Sequence, residues 1–380
     1  MAPKKKDKSL AQNTESTGLS ELAGQIKDNI DAAVEVREER VEFISTGCIP
    51  FNLALSQKGK NGGIARGRII NFVGDGSSGK TLNALETAAW YWYNILKVKS
   101  NLYPDTKKRR VRYNNGEGVM DFPVAEMYGD DFYDGAEWIQ INEAEAWGLD
   151  VQRSINELKK GESMLYICDS LDSLIPQASK ERIEKQIKNG GKRDGTYGLE
   201  AQKYFSTEFF NDLCDRMTGK DFTLLIISQV RENLSAGIFG KKYRRNGGKA
   251  LDFYTHQVAW LYSREKFKKT FKGNERIYGV STLAKVERNK TALPYREAEI
   301  PIMFDFGVDN NLACASFLFG AKDKEIEWEG ETMKKSDLVE LADNDEFVES
   351  KLAEAVEQEW FYIEDNVRSR KPSKAAKYMK

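Results

Sequence analysis

Two hydrophobic rhythms alternate along much of the chain. Short continuous apolar runs at Ile69–Val73, Val111–Asn114, Met164–Cys168 and Thr223–Ile227 read as buried strands. Between them, Thr81–Leu96, Gly148–Lys160 and Leu199–Met217 place apolar residues at helical spacing. Strands separated by helices of this length predict an α/β fold with a mainly parallel central sheet covered on both faces. Val258–Ser263, Tyr278–Val286 and Ala298–Met303 read as further strands extending that sheet. Earlier, Val41–Leu55 reads as a strand followed by a turn through Gly47 and Pro50.

The two ends follow other patterns. Residues 1–17 lack an apolar period and are expected to be disordered. Leu22, Ile26, Ile30 and Val34 then mark one face of a short N-terminal helix, which docks on its own domain or on a neighbouring subunit. After Gly320 the pattern turns acidic and helical, as expected of a small C-terminal lobe. The expected division is therefore 1–40, an N-terminal tail and helix for subunit contact; 41–320, the core; and 321–380, an acidic lobe with a basic tail. Three Gly-rich or basic stretches, Lys97–Arg112, Lys188–Gly198 and Leu234–Lys249, interrupt the alternation. Long loops inside a compact domain usually work or move.

Charge sharpens this division. The formal net charge of the 380 residues is −1, yet Asp323–Asp365 holds 16 acids against 4 Lys/Arg, and Asn366–Lys380 holds 6 Lys/Arg and no acid. The remaining body is net basic, so each region has its own electrostatic partner, or else its runs are solvated surface. A single histidine, His256, argues against a Ser-His-Asp triad elsewhere and against His-rich zinc sites. The cysteines, Cys48, Cys168, Cys214 and Cys314, form no C-x-x-C pair and read as reduced thiols of an intracellular protein. The longest nearly apolar stretch, Leu312–Ala321, is too short to span a bilayer, and no apolar segment follows the basic start as in a signal peptide. A soluble, cytoplasmic protein without membrane contact is expected.

Gly74, Asp75, Gly76, Ser77, Ser78, Gly79, Lys80 and Thr81 match G-x-x-x-x-G-K-[ST] between an apolar strand and a helical run. The glycines let successive backbone N–H groups turn toward phosphate oxygens at a helix N-terminus, and Leu82 completes the phosphate-binding set. Lys80 would reach the β- and γ-phosphates, while the Thr81 hydroxyl would ligate Mg²⁺. Asp169, ending the apolar run Met164–Cys168, is the second candidate for holding the metal. The expected cofactors are ATP and Mg²⁺.

Further residues narrow the reading. Ile44-Ser45-Thr46-Gly47, Leu53-Ala54-Leu55, Gly67-Arg68-Ile69 and the Ser-Ser-Gly-Lys-Thr of the loop together resemble the bacterial RecA recombinase family. Asp169-Ser170-Leu171 with Pro176, Leu224–Arg231, Gly247–Tyr254 and Lys285–Lys290 are similar to later segments of that family. Ordered matches run from about Val41 to about Gly320. The resemblance implies a RecA-like P-loop NTPase core, with Glu117 activating the attacking water and Gln229 sensing the γ-phosphate. It also implies that Arg288 and Lys290 reach across a subunit interface to the neighbour's nucleotide. Arg in place of the family's Lys at 288 keeps the charge and changes the geometry. Asp121 falls where the family contacts adenine, although the stacking aromatic is replaced by Val124.

Two loops carry the expected DNA contacts. Lys241, Lys242, Arg244, Arg245 and Lys249 surround one aromatic, Tyr243, without an acid, and Ile238 and Phe239 precede them as candidates for insertion between bases. The earlier loop offers Lys188, Lys192, Arg193 and Tyr197, with Gln202 and Lys203 where relatives carry arginine. The basic run Lys107–Arg110, with Arg112, looks like an insertion relative to the family; an auxiliary DNA contact and a solvated loop both fit it. The resemblance thus implies an ATP-dependent strand-exchange protein that self-associates into helical filaments on single-stranded DNA and pairs it with duplex. Hydrolysis would resolve the filament, and single-strand-binding or loader proteins are expected partners in a bacterial or bacteriophage setting. Two alternatives stay open: a ring-forming helicase or translocase, and a non-catalytic recombination mediator.

Overall fold

The computed structural model describes residues 41–118, 122–188, 204–232, 243–245, 248–322, 324–369, 371 and 374–378. The expected N-terminal helix lies outside these residues. Among them the strands are β1 (Phe43–Ile44), β2 (Ile64–Ala65), β3 (Ile69–Gly74), β4 (Lys108–Asn115), β5 (Glu137–Ile139), β6 (Glu162–Asp169) and β7 (Phe222–Glu232). They continue with β8 (Tyr243–Arg245), β9 (Gln257–Phe271), β10 (Asn274–Asn289), β11 (Arg296–Met303), β12 (Gly307–Val308), β13 (Glu325–Trp328) and β14 (Glu331–Lys334).

Ten strands form one sheet in the order β12-β11-β10-β9-β3-β7-β6-β4-β5, with β8 attached to β7. Its central and β5-side pairings, from β9 through β3, β7, β6 and β4 to β5, are parallel, and the remainder are antiparallel. The fold is α/β with a mainly parallel central sheet, as the alternation predicted. Strands β3, β6 and β7 are buried along the parts that carry the apolar runs, because helices cover both faces. Lys80–Asn94 packs on one face through Leu82, Ala84, Leu85 and Ala88, and Ala144–Glu157 on the other through Trp147, Val151 and Ile155.

Several expectations change. The turn through Pro50 is instead the first turn of a helix, Ile49–Ser56, all eight residues of which are buried. Proline is compatible there because a first-turn N–H has no intrahelical acceptor to lose. Within the expected helix Leu199–Met217, the described part begins with a π-helical turn, Phe205–Phe209, and continues as Phe210–Met217.

The basic run 107–112 is not a loop from Lys108 onward but lies in β4. Arg110 and Arg112 both pair with Glu137 at 2.7 Å, Arg112 also binds Asp150 at 2.6 Å, and the Arg109 guanidinium lies 4.2 Å from the Trp92 ring centroid. Arg109, Arg110 and Arg112 therefore have partners within the sheet and its covering helix.

The C-terminal region is not only helical, since β13 and β14 form a hairpin before Lys335–Asn344 and the long helix Glu346–Val367. Leu352, Val356 and Trp360 of that helix join the main buried cluster, and the guanidinium of Arg296 binds the buried Glu364. No helix among the described residues is long and apolar enough to cross a membrane.

One buried acid gives this core a pH dependence. Burial pushes the Glu86 carboxyl up to about 7, while the Val308 N–H donates to its Oε2 at 3.3 Å. The folded chain then retains a proton that the unfolded chain releases at lower pH. Stability therefore falls as pH rises from the ordinary carboxylate value of about 4.5 to about 7. Glu86→Gln is expected to flatten that slope by roughly 1–3 kcal/mol between pH 5 and pH 8. Denaturant melts at the two pH values check it, and an unchanged slope would assign the titration to another group.

Candidate nucleotide and DNA site

The site is built at the carboxyl edge of adjacent strands. Gly74, Gln229 and Leu261 are level across β3, β7 and β9, and β6 and β4 follow on the β7 side. The loop leaving β3 folds tightly on its neighbours. A Cβ on Gly74 would stand 2.3 Å from Ser78 Oγ, and one on Gly79 would stand 2.4 Å from Ile302 Cδ1. Gly79 also has φ +81°, a left-handed conformation that a side chain would strain. The helix Lys80–Asn94 starts there, and its first-turn N–H groups lack intrahelical acceptors and point toward the loop. Lys80 is buried, and its Nζ donates to the Asp75 carbonyl at 2.6 Å. Burial lowers the ammonium below the ordinary lysine value, opposed by Asp169, Glu117, Asp75 and Asp172.

Thr81 and Asp169 meet, as the Thr81 hydroxyl donates to Asp169 Oδ2 at 2.8 Å. The Tyr113 hydroxyl donates to the same oxygen at 2.7 Å. Burial raises the Asp169 carboxyl above its ordinary value, while these two hydroxyls oppose the rise. A hydroxyl and a carboxylate are hard oxygen donors that suit Mg²⁺, which takes one or two protein groups together with phosphate oxygens and water. The donor set thus fits a magnesium nucleotide: Lys80 and the helix N-terminus for phosphates, Thr81 and Asp169 for the metal.

Glu117 and Gln229, far apart in sequence, are in direct contact. Glu117 Oε1 accepts from the Gln229 side-chain amide at 2.7 Å and from the Ser170 hydroxyl at 2.6 Å. The Gln229 backbone N–H donates to Asp172 at 2.7 Å. Immediately beyond, Val230 pairs with Arg245, so the antiparallel β7–β8 pairing starts one residue past Gln229. A displacement of the Gln229 amide would pull directly on that ribbon.

Arg288 and Lys290 lie elsewhere. The Lys290 N–H bonds the His256 carbonyl, and the His256 N–H bonds the Ile69 carbonyl, at the opposite end of β3 from Gly74. Five residues of strand separate the two ends, about 16 Å. Burial, followed by Arg68, Lys290 and Arg288, lowers the His256 pKa to about 4, and burial and Arg288 lower that of Lys290. The Lys290 ammonium donates to the Phe253 carbonyl at 2.6 Å.

Of the remaining candidates, Lys188 is exposed at the end of the helix Gln177–Lys188. Arg244 lies in β8 and Lys249 in the helix Gly248–Tyr254. Asp121, Lys192, Arg193, Tyr197, Ile238, Phe239, Lys241 and Lys242 lie outside the described residues. Val124 is buried in the core and offers no face to a base, whereas Phe122 exposes its ring. Sequence reasoning passed over Tyr113, Ser170, Asp172 and Thr282, whose Oγ1 donates to the Ser78 carbonyl at 3.1 Å. Strand parity is the only signal that could have aimed Tyr113 at Asp169.

Residues 139–309 match the model of the RecA N-terminal domain, a stretch that contains Asp169, Gln229, Arg288 and Lys290. The chain is similar to Protein RecA of Bacteroides thetaiotaomicron, 29% identical over 323 residues, covering 82% of each chain. It is also similar to Protein RecA of Clostridium beijerinckii, 27% identical over 299 residues, covering 78% of this chain and 72% of the relative. Protein RecA of Clostridium botulinum is 27% identical over 270 residues, covering 70% of this chain and 65% of the relative.

Proposed function

The chain belongs to the RecA family, and from that premise we propose that it is an ATP-dependent DNA strand-exchange recombinase. It holds ATP on the loop Gly74–Thr81 and Mg²⁺ on Thr81 and Asp169. It polymerises on single-stranded DNA in the cytoplasm or nucleoid, and pairs that strand with a homologous duplex. Glu117 orients and deprotonates the attacking water, in line with the γ-phosphate. Lys188, Lys192, Arg193 and Tyr197, with Ile238–Lys249, contact the strand. The N-terminal 40 residues serve subunit contact, residues 41–320 the chemistry, and the acidic end a separate electrostatic role.

The observation that carries this reading is the Glu117–Gln229 contact at 2.7 Å, one residue from the β7–β8 ribbon. A simple ATPase has no need for its water-activating carboxylate to hold the amide that leads into a basic ribbon. A γ-phosphate arriving beside Gln229 competes with Glu117 for that amide, so nucleotide state and ribbon position change together.

The test combines turnover with particle shape. ATP hydrolysis should require Mg²⁺ and rise on addition of single-stranded DNA, and electron micrographs should show helical filaments. Closed rings that unwind duplex would instead establish the helicase alternative, and DNA binding without turnover the mediator.

A further inference from the structure

The parallel pairing of β6 with β7 ends at Cys168 and Ile226, whereas β3 stays paired with β7 as far as Gln229. The Leu224 N–H bonds the Arg68 carbonyl on the β3 side, so alternation along the strand turns the Gln229 N–H toward the β6 side. There β6 has already left the sheet. Asp172 takes its place, with Oδ2 accepting from the Gln229 N–H at 2.7 Å. A carboxylate thus continues, for one residue, the ladder that the strand has abandoned.

That carboxylate stands on a stiff support. Asp172 is the middle residue of the 3₁₀ turn Leu171–Ser173, which is pinned by the buried Leu171 and followed by the buried Leu174. The Ser173 N–H and hydroxyl both donate to the Ser170 carbonyl, at 3.3 and 2.7 Å. Ser170 is itself buried, and its hydroxyl donates to Glu117 at 2.6 Å. One turn therefore grips both partners of the Glu117–Gln229 contact. Ser170 holds the carboxylate, and Asp172 holds the glutamine backbone. Supporting contacts of this kind fix the geometry of a working site. The same turn leads through Pro176 into the helix Gln177–Lys188, so it joins the two stretches that carry the candidate DNA contacts.

The anchor decides where a pull on Gln229 goes. With the N–H fixed, a side-chain amide drawn from Glu117 toward a γ-phosphate turns about a fixed point. The change then passes outward to Val230 and its partner Arg245. With the N–H released, the strand end gives way and the change is absorbed beside the phosphate loop. A hydrogen bond to an ionised acceptor is the stronger kind, which suits a point that must hold while the side chain moves.

We propose that Asp172 is a positioning residue that anchors the Gln229 backbone and thereby couples nucleotide state to DNA affinity. This rests on the recombinase reading, which supplies the γ-phosphate and the strand that are coupled.

The experiment measures the coupling itself. Anisotropy of a fluorescein-labelled oligothymidylate gives the affinity of the full-length protein in Mg²⁺, once with ADP and once with a slowly hydrolysed ATP analogue. The ratio of the two affinities cancels any loss common to both states. Couplings between sites are usually about 5–150-fold, and linkage requires the oligonucleotide to favour the ATP analogue over ADP by the same factor. In Asp172→Ala the ratio should fall to about twofold or less, and the reciprocal effect on nucleotide affinity should fall with it. Asp172→Ser, whose hydroxyl ends one bond short of the carboxylate oxygen, should behave alike and stands in if the Ala variant does not fold. Asp172→Asn should keep most of the parental ratio, because its amide oxygen still accepts the N–H. A parental ratio in folded Asp172→Ala or Asp172→Ser would overturn the proposal, and so would an Asn variant as uncoupled as the Ala variant. A fall in both affinities at an unchanged ratio overturns it too, since that marks a merely structural role. A parent that binds no oligonucleotide, or binds it equally in the two nucleotides, refutes the recombinase reading and this proposal with it.

Discussion

Lys80→Ala should lose ATP turnover by roughly 10²–10³-fold, the usual cost of removing one preorganised charge from a phosphoryl-transfer site. The ammonium is buried, and its bond to the Asp75 carbonyl holds it over the mouth of the loop. Burial alone would favour the neutral amine, but the surrounding carboxylates of Asp169, Glu117 and Asp75 oppose that tendency. A triphosphate adds negative charge at the same place and strengthens the charged form further. Lys80→Arg should recover little, since the planar guanidinium is longer and cannot occupy the same point. Binding of a fluorescent ATP analogue, steady-state turnover and a thermal melt together check this. Parental turnover in a folded Lys80→Ala protein would refute the phosphate-loop assignment.

The strand, turn and helix start around Gly74–Thr81 were legible because they are set locally. Eight consecutive residues set the turn, the helix start and the cation, and the flanking apolar runs supply the strand and helix. Strand and helix order was legible for the same reason, since burial on both faces leaves continuous apolar runs. What stayed hidden depends on partners distant in sequence. The basic residues of β4 suggested a loop because their acids, Glu137 and Asp150, lie 25 to 38 residues away. Tyr113 is an ordinary strand aromatic until the sheet sets it beside Asp169. The outer halves of β9 and β10, residues 264–278, escaped because they carry no buried face, so charges fill the positions that hydrophobic periodicity reads. Pro50 misled for a different reason, since a proline fits the first turn of a helix as well as a loop.

The Arg288→Ala/Lys290→Ala variant should keep ATP binding yet lose DNA-stimulated turnover, because these cations cannot reach their own chain's nucleotide. Hydrogen bonds place Lys290 level with Ile69, about 16 Å along β3 from Gly74. Arg68, His256, Arg288 and Lys290 influence one another electrostatically there, so the site gathers positive charge that an incoming phosphate would relieve. In a filament, the phosphate loop and Glu117 of one subunit and these cations of the next would complete a single site. Cations supplied in trans to a transferring phosphoryl group are worth roughly 10³–10⁵ in rate. A Glu117→Gln variant should be inactive for the complementary reason, since it lacks the base but retains the cations. Mixing the two inactive proteins creates some interfaces that pair an intact Glu117 with intact Arg288 and Lys290. Turnover should therefore return in the mixture, toward a fraction set by the random order of subunits. Sedimentation establishes whether the two variants co-assemble. A co-assembled mixture that stays as inactive as its parts would remove Arg288 and Lys290 from the neighbour's site.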